Sequence, residues 1–196
     1  MSLNYVRYQI EVQGVAPLLQ HNGDLASKMN PIARKIAEIN GKRKKVDADY
    51  IQMGDLEFYG GLYLDAEEKI TLPPVMLESW LVEGAKMHKE GQIALAGMFV
   101  EQNVEFSFGG PQTYKERMKD PTCRLTARVR VQRNTVERVR PMFEDWNVKF
   151  DVSVIAQTVP EDMLKRWATS AANFKGLGDW RPRYGRGEVV SVKKTG

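Results

Sequence analysis

An α+β fold, an antiparallel sheet with helices on one face, is what this sequence predicts, and three observations carry the prediction. Apolar residues alternate with polar ones over residues 5–13, 103–108, 124–132 and 146–155, the period of half-buried strands. Two stretches, 74–88 and 161–173, instead repeat their apolar residues at three and four, the period of a helix with one buried stripe. The order runs strand, helix, strand twice, which suits a mixed architecture with segregated layers.

Taken in order, residues 5–13 place Val6, Tyr8, Ile10 and Val12 on one side and Arg7, Gln9, Glu11 and Gln13 on the other. Gly14 and Pro17 break this strand, and Gln20 to Asp24 reads as a polar loop. Ile32, Ile36 and Ile39 predict a helix over 31–39, with Asn30 as N-cap and Pro31 at the first helical position. Asn40-Gly41 ends it, and Lys42 to Lys45 reads as an exposed linker. A short strand pair is predicted at 61–65 and 69–72. Pro73-Pro74 then opens a helix carrying Leu77, Trp80, Leu81, Gly84, Ala85 and His88, with Gly91 as its stop. The strand at 103–108 turns Val104, Phe106 and Phe108 inward, and Gly109 to Cys123 is polar and turn-rich. The strand at 124–132 sets Leu125, Ala127, Val129 and Val131 against Arg124, Thr126, Arg128, Arg130 and Gln132. In 146–155 the inward residues are Val148, Phe150, Val152 and Val154. Pro160-Glu161-Asp162 matches the orphan amides and positive end of a helix start, and this helix turns Leu164, Trp167, Ala168 and Ala171 inward. A glycine-rich loop and a last strand over 188–192 follow. The two strand–helix–strand halves suggest a ferredoxin-like, RRM-like arrangement. We expect a single domain over 1–196 with insertions at about 20–60 and 109–146.

With 196 residues, 42% hydrophobic, the chain is long enough to bury a core without disulfides, and Cys123 has no second cysteine to pair with. No apolar run approaches the ~18 residues of a membrane span, and the first residues lack a signal-peptide core. A cytoplasmic protein without membrane contact is the expectation. Charge is segregated along the chain. Residues 1–120 hold 14 basic and 17 acidic side chains, and the remainder hold 15 and 8, so the first part is −3 and the second +7. Ten of the later cations are arginines, whose planar fork suits phosphate and whose face stacks on bases.

Two segments carry this charge in a pattern that points to chemistry. Gly176 to Gly187 packs Gly176, Gly178 and Gly185 with Arg181, Arg183, Arg186, Trp180 and Tyr184 into twelve residues. Glycines allow backbone amides to approach a phosphate, and aromatics interleaved with arginines supply stacking and charge. Lacking a lysine followed by Ser or Thr, the segment is not a nucleotide P-loop. The second segment is the polar side of 124–132, where Arg124, Arg128 and Arg130 form a row continued by Arg133, Arg138 and Arg140. Against each stands a plainer reading, a tight helix-to-strand connection for the first and a solvated strand face for the second.

Catalytic and metal-binding patterns are sparse. His88 reads as a cation at a helix C-terminus, and Trp80 and Trp167 as core. Asp47, Asp49, Asp55 and Asp65 match no compact Mg²⁺ site, and one cysteine cannot build a structural zinc site. His21, in a loop beside Asn22, is the one candidate acid–base residue. No metal and no cofactor are expected.

From the glycine-rich segment onward the sequence resembles the RAMP superfamily, RRM-like RNA-binding proteins that include CRISPR backbone subunits and repeat-RNA endonucleases. The resemblance lies in Gly176-Leu177-Gly178, Arg181, Arg183-Tyr184-Gly185-Arg186 and Glu188-Val189-Val190, in Ile70 to Leu77, and in the opening strand Tyr8 to Leu19. It covers about 80 residues in three blocks. The Pro-Leu-Leu and Trp-Arg-Pro elements are also similar to small phage-encoded proteins. Pro182 and Asp179 interrupt the family's loop pattern, and neither histidine has the context of a family nuclease site. The resemblance therefore implies binding without cleavage, with RNA favoured over single-stranded DNA, and implies side-by-side assembly as a homo-oligomer or as a subunit of a nucleoprotein complex. The segment 109–146 resembles the finger-like hairpin that backbone subunits lay over RNA. Two alternatives stand beside this reading: an assembly subunit or phage inhibitor of a defence complex that docks acidic protein, and a metal-independent RNA endonuclease using His21.

Overall fold

The structure, a computed structural model, describes residues 4–131 and 134–196. Its elements in chain order are β1 (Tyr5–Gly14), β2 (Leu18–Leu19), α1 (Pro31–Gly41), α2 (Asp47–Gly61), α3 (Pro74–Lys86), α4 (Gly91–Gly97), β3 (Met98–Ser107), α5 (Tyr114–Lys119), β4 (Arg124–Val131), β5 (Asn134–Phe143), β6 (Asn147–Ile155), α6 (Glu161–Ser170) and β7 (Gly187–Lys194). They form two compact units, one from residues 1–19, 71–109 and 143–196, the other from 20–70 and 110–142. Among the described residues no helix is long and apolar enough to cross a membrane.

In the first unit the sheet order is β3-β6-β1-β7, with every neighbouring pair antiparallel. Counting only these four strands, the chain order is strand, helix, strand, strand, helix, strand, the split βαβ connectivity that the sequence predicts. Register explains the alternation: Val12 lies across from Val148, Ile10 from Phe150, Tyr8 from Val152 and Val6 from Val154. All eight are buried, forming one apolar face of the sheet. Helix α3 covers that face, its Trp80 meeting Phe150 edge-on at 6.4 Å between ring centroids. Helix α6 packs on α3 through Leu164, Trp167 and Ala168, all fully buried. Contact between the two helices is close enough that a Cβ on Gly84 would overlap the carbonyl oxygen of Trp167 and sit 2.9 Å from the Ala171 methyl. Glu90 locks the helices together at their ends, accepting hydrogen bonds from the Trp167 indole at 2.6 Å and from Arg166 at 2.7 and 2.9 Å. His88, just past α3, is hydrogen-bonded to Ser170 at 2.8 Å.

The second unit joins α1, α2 and α5 to the β4–β5 hairpin. Asn30 caps α1 as expected, accepting from the amides of Ile32 and Ala33 at 2.8 and 3.2 Å. Helix α2 packs on β5 through small residues, with Gly54 against Val139 and Gly61 against Pro141. Glu57 fixes the contact, accepting from the Val139 amide at 2.8 Å and from Arg138 at 2.6 Å. Arg117 on α5 is buried and donates to the carbonyls of Pro111 and Met142 at 2.9 and 2.6 Å. Burial pushes its guanidinium below the ordinary arginine value.

Four local expectations are revised. The strand pair at 61–65 and 69–72 reduces to a single bridge, Leu64 to Ile70, around a turn in which Asp65 accepts the amides of Glu67 and Lys69. Residues 47–61 are helical, a helix absent from the sequence reading. Gly91 begins α4 instead of stopping α3, which ends at Lys86. The strand placed at 103–108 starts at Met98 and bulges between Val100 and Val104, so its alternation is broken at the middle.

Two outcomes test this packing. Gly84→Val overpacks the α3–α6 contact and lowers unfolding free energy by about 1–3 kcal/mol, measured by urea titration followed by Trp fluorescence. Hydrogen bonds from Arg166 and then Trp167 hold the Glu90 carboxyl below its ordinary value of 4.5, against a smaller opposing effect of burial. Its contribution is present above that value and is lost as pH falls through the depressed one. Glu90→Gln therefore flattens the acid limb of the stability–pH curve.

Candidate nucleic-acid interface

In the first unit, α6 runs into a π-helical turn, Ala171–Lys175, and then into the glycine-rich loop. The loop is held by backbone hydrogen bonds. The Asp179 amide donates to Leu19 at 2.8 Å, the Gly185 amide to Pro17 at 2.8 Å, and the Leu177 amide to Gly185 at 2.8 Å. Amides of Val15 and Ala16 donate back to Arg186. Two glycines make this possible. Gly178 and Gly185 have φ of +84° and +71°, and a Cβ at either would overlap a carbonyl oxygen, of Leu19 and Leu177 respectively. Trp146 completes the support, its fully buried indole donating to the Ala16 carbonyl at 2.8 Å.

This geometry changes the role of the glycines. The amides of Leu177, Asp179 and Gly185 are bonded within the protein, and Gly176 and Gly185 are buried. The glycines position the loop, and those three amides are not turned toward an anion. Arg181, Arg183 and Arg186 are exposed, although Arg186 Nε donates to the Pro182 carbonyl at 2.8 Å. Trp180 and Tyr184 are half-buried with ring centroids 6.4 Å apart, and the Arg183 guanidinium lies 5.8 Å from the Tyr184 ring centre. Beside them opens a cavity of about 520 Å³ lined by Phe174, Lys175, Asp179, Trp180, Arg181 and Glu83, among others. A hydrogen bond from Lys86 holds the Glu83 carboxyl below its ordinary range against burial, with Lys175 and Arg181 adding to the lowering. Phe174, 59% exposed, Lys175 and Glu83 were not legible as site residues. Phe174 sits in the π-turn, where the helical period fails, and Glu83 comes from a helix about 95 positions away in sequence.

The arginine row of the hairpin lies in the second unit and is largely committed. Arg124 donates to Asp55 at 2.9 Å and to the Met118 carbonyl, and lies 5.1 Å from the Phe58 ring centre. Arg138 is paired with Glu57, and Arg140 is buried. Arg128 and Arg130 are exposed, Arg128 across the hairpin from Glu137. Arg133 lies outside the described residues. His21 is exposed and lines a separate cavity of about 230 Å³ with Arg138 and Arg140. Asp49 is bonded to Lys42 and the Val46 amide, Asp55 to Arg124, and Asp65 to its own turn. Among the described residues no group of three His, Cys, Asp or Glu is placed to hold a metal ion.

The open face of the first unit's sheet has a different character. Register places Arg7, Lys149 and Lys193 there with Glu11, Asp151, Glu101, Glu105 and Glu188, so acids predominate. Glu101 accepts from Arg7 at 2.8 Å and from Ser153 at 2.5 Å. Tyr5 and Phe99, 50% and 46% exposed, pair edge-on at 5.9 Å on this face.

No protein-family model matches the chain, and no curated protein matches it. Among solved structures, it is similar to a chain of the cryo-EM structure of the Type III-B Cmr-beta bound to cognate target RNA. The two are 10% identical with a TM-score of 0.48, over 97% of this chain and 60% of that one.

Proposed function

We propose that this protein is a non-catalytic, RAMP-like binder of single-stranded nucleic acid, RNA in preference to DNA, that assembles side by side along the strand. The observation that carries the reading is the cavity beside the loop, where the aromatic rings of Phe174 and Trp180 share one lining with the cations Lys175 and Arg181. Every base has a face that stacks on an aromatic ring, and every linkage has a charge that an arginine neutralises, so this pairing suits an unpaired strand. Arg183 and Tyr184 extend the same combination along the loop. Preference for RNA rests on the sequence resemblance, as does assembly.

Fluorescence anisotropy of labelled single-stranded 30-mers, at several salt concentrations, separates charge from stacking. Arg181→Ala with Arg183→Ala weakens binding and reduces the slope of log affinity against log salt by about 1.4, the value for two lost contacts on a single strand. Phe174→Ala or Trp180→Ala weakens binding by about 1–3 kcal/mol and leaves that slope unchanged. Labelled RNA stays intact throughout, in EDTA or Mg²⁺. Absence of binding by the folded protein at low salt overturns the proposal in favour of docking to acidic protein.

A further inference from the structure

The cavity beside the glycine-rich loop holds a group that binding by charge and stacking leaves unused, the carboxylate of Glu83. Glu83 stands on α3 and shares the cavity lining with Phe174, whose π-turn packs against that helix. Its Oε1 accepts from Lys86 at 2.5 Å, and its Oε2 has no hydrogen-bond partner among the described residues. The side chain is 35% exposed and Lys86 is 55% exposed, so the pair sits where water competes for it. The Lys86 hydrogen bond holds the carboxyl below its ordinary range against burial, with Lys175 and Arg181 adding to the lowering, and at neutral pH the group is ionised and only accepts.

We propose that this cavity selects guanine among the bases of a single strand. The inference rests on the nucleic-acid reading and adds a base preference to it. A base stacked on the exposed Phe174 ring leaves its edge to the side chains that share the lining. Guanine alone presents two adjacent donors on its pairing edge, N1–H and the N2 amino group, and a carboxylate has acceptor sites for both beside the one that Lys86 takes. Adenine and cytosine each set one amino group next to a ring nitrogen that accepts, and uracil sets its one N–H between two carbonyls. Each of these turns a lone pair toward the carboxylate, where guanine makes charge-assisted hydrogen bonds. Lys175 and Arg181 remain for the phosphates.

Fluorescence anisotropy of the whole protein with labelled uracil octamers that carry guanine, adenine, cytosine, inosine or uracil at one central position tests it. The guanine octamer binds about tenfold more tightly than the uracil octamer, the discrimination that one bidentate pair to a base edge supplies. Inosine, which keeps N1–H and lacks the amino group, falls between them. Glu83→Gln loses the guanine preference and binds the uracil octamer at least as tightly as the native protein, because an acid leaves the cavity, with circular dichroism unchanged. Equal affinity for the guanine and uracil octamers, inosine equal to guanine, or a preference that folded Glu83→Gln retains in full overturns this inference and leaves the nucleic-acid reading standing. Guanosine 5′-monophosphate bound as tightly as the guanine octamer overturns it in favour of a free nucleotide. Absence of binding by every octamer at low salt overturns the nucleic-acid reading itself, and this inference with it.

Discussion

The pinning of the glycine-rich loop to residues 15–19 is the constraint on which the candidate interface depends. Backbone hydrogen bonds from Asp179 and Gly185 to that segment, and one within the loop from Leu177, fix a stretch that carries three arginines and two aromatic rings within seven residues. Fixing the backbone that carries these side chains before a ligand arrives lowers the ordering cost of binding. The pin itself rests on packing. Gly178 and Gly185 allow the backbones to meet, and the buried Trp146 fixes Ala16 from the other side. A sheet core built from β1 and β6 then supports Trp146, which leads directly into β6.

On the proposed reading, charge favours the loop end of the first unit over the open sheet as the surface for a polyanion. In RRM-type proteins, aromatic residues on the open sheet stack with bases, and Tyr5 and Phe99 occupy such positions here. The same face carries more acids than bases, however, and Glu101 is already engaged by Arg7 and Ser153. Bringing phosphates against Glu11, Asp151 and Glu105 adds repulsion between like charges. The loop end has no such excess, with Lys175, Arg181, Arg183 and Arg186 set against Asp179 and Glu83. On that reading the fold and the proposed place of binding are separable, since a fold does not dictate which face carries function.

Much of the fold was legible because its core elements are amphipathic. The strands β1 and β6 alternate, and α3 and α6 each repeat buried residues at helical spacing. Helix α2 was hidden because Glu57, Phe58, Gly60 and Gly61 are all buried near its end, which erases the 3.6-residue contrast on which a sequence reading relies. The loop residues Trp180, Arg181, Arg183 and Tyr184 were legible from local composition. Their neighbours Phe174 and Glu83 were not, since one lies in a π-turn and the other arrives from α3. The hairpin arginines show the opposite limit. Arg124 and Asp55 are 69 positions apart, so nothing in the strand pattern reveals that the cation is already paired.

The most direct test of the central claim is photo-crosslinking of single-stranded RNA substituted with 4-thiouridine, followed by peptide mapping by mass spectrometry. The account predicts adducts at Phe174, Trp180 or Tyr184, lost when Arg181 and Arg183 are both replaced by alanine. Adducts concentrated at Tyr5 and Phe99, and unaffected by those replacements, would contradict it.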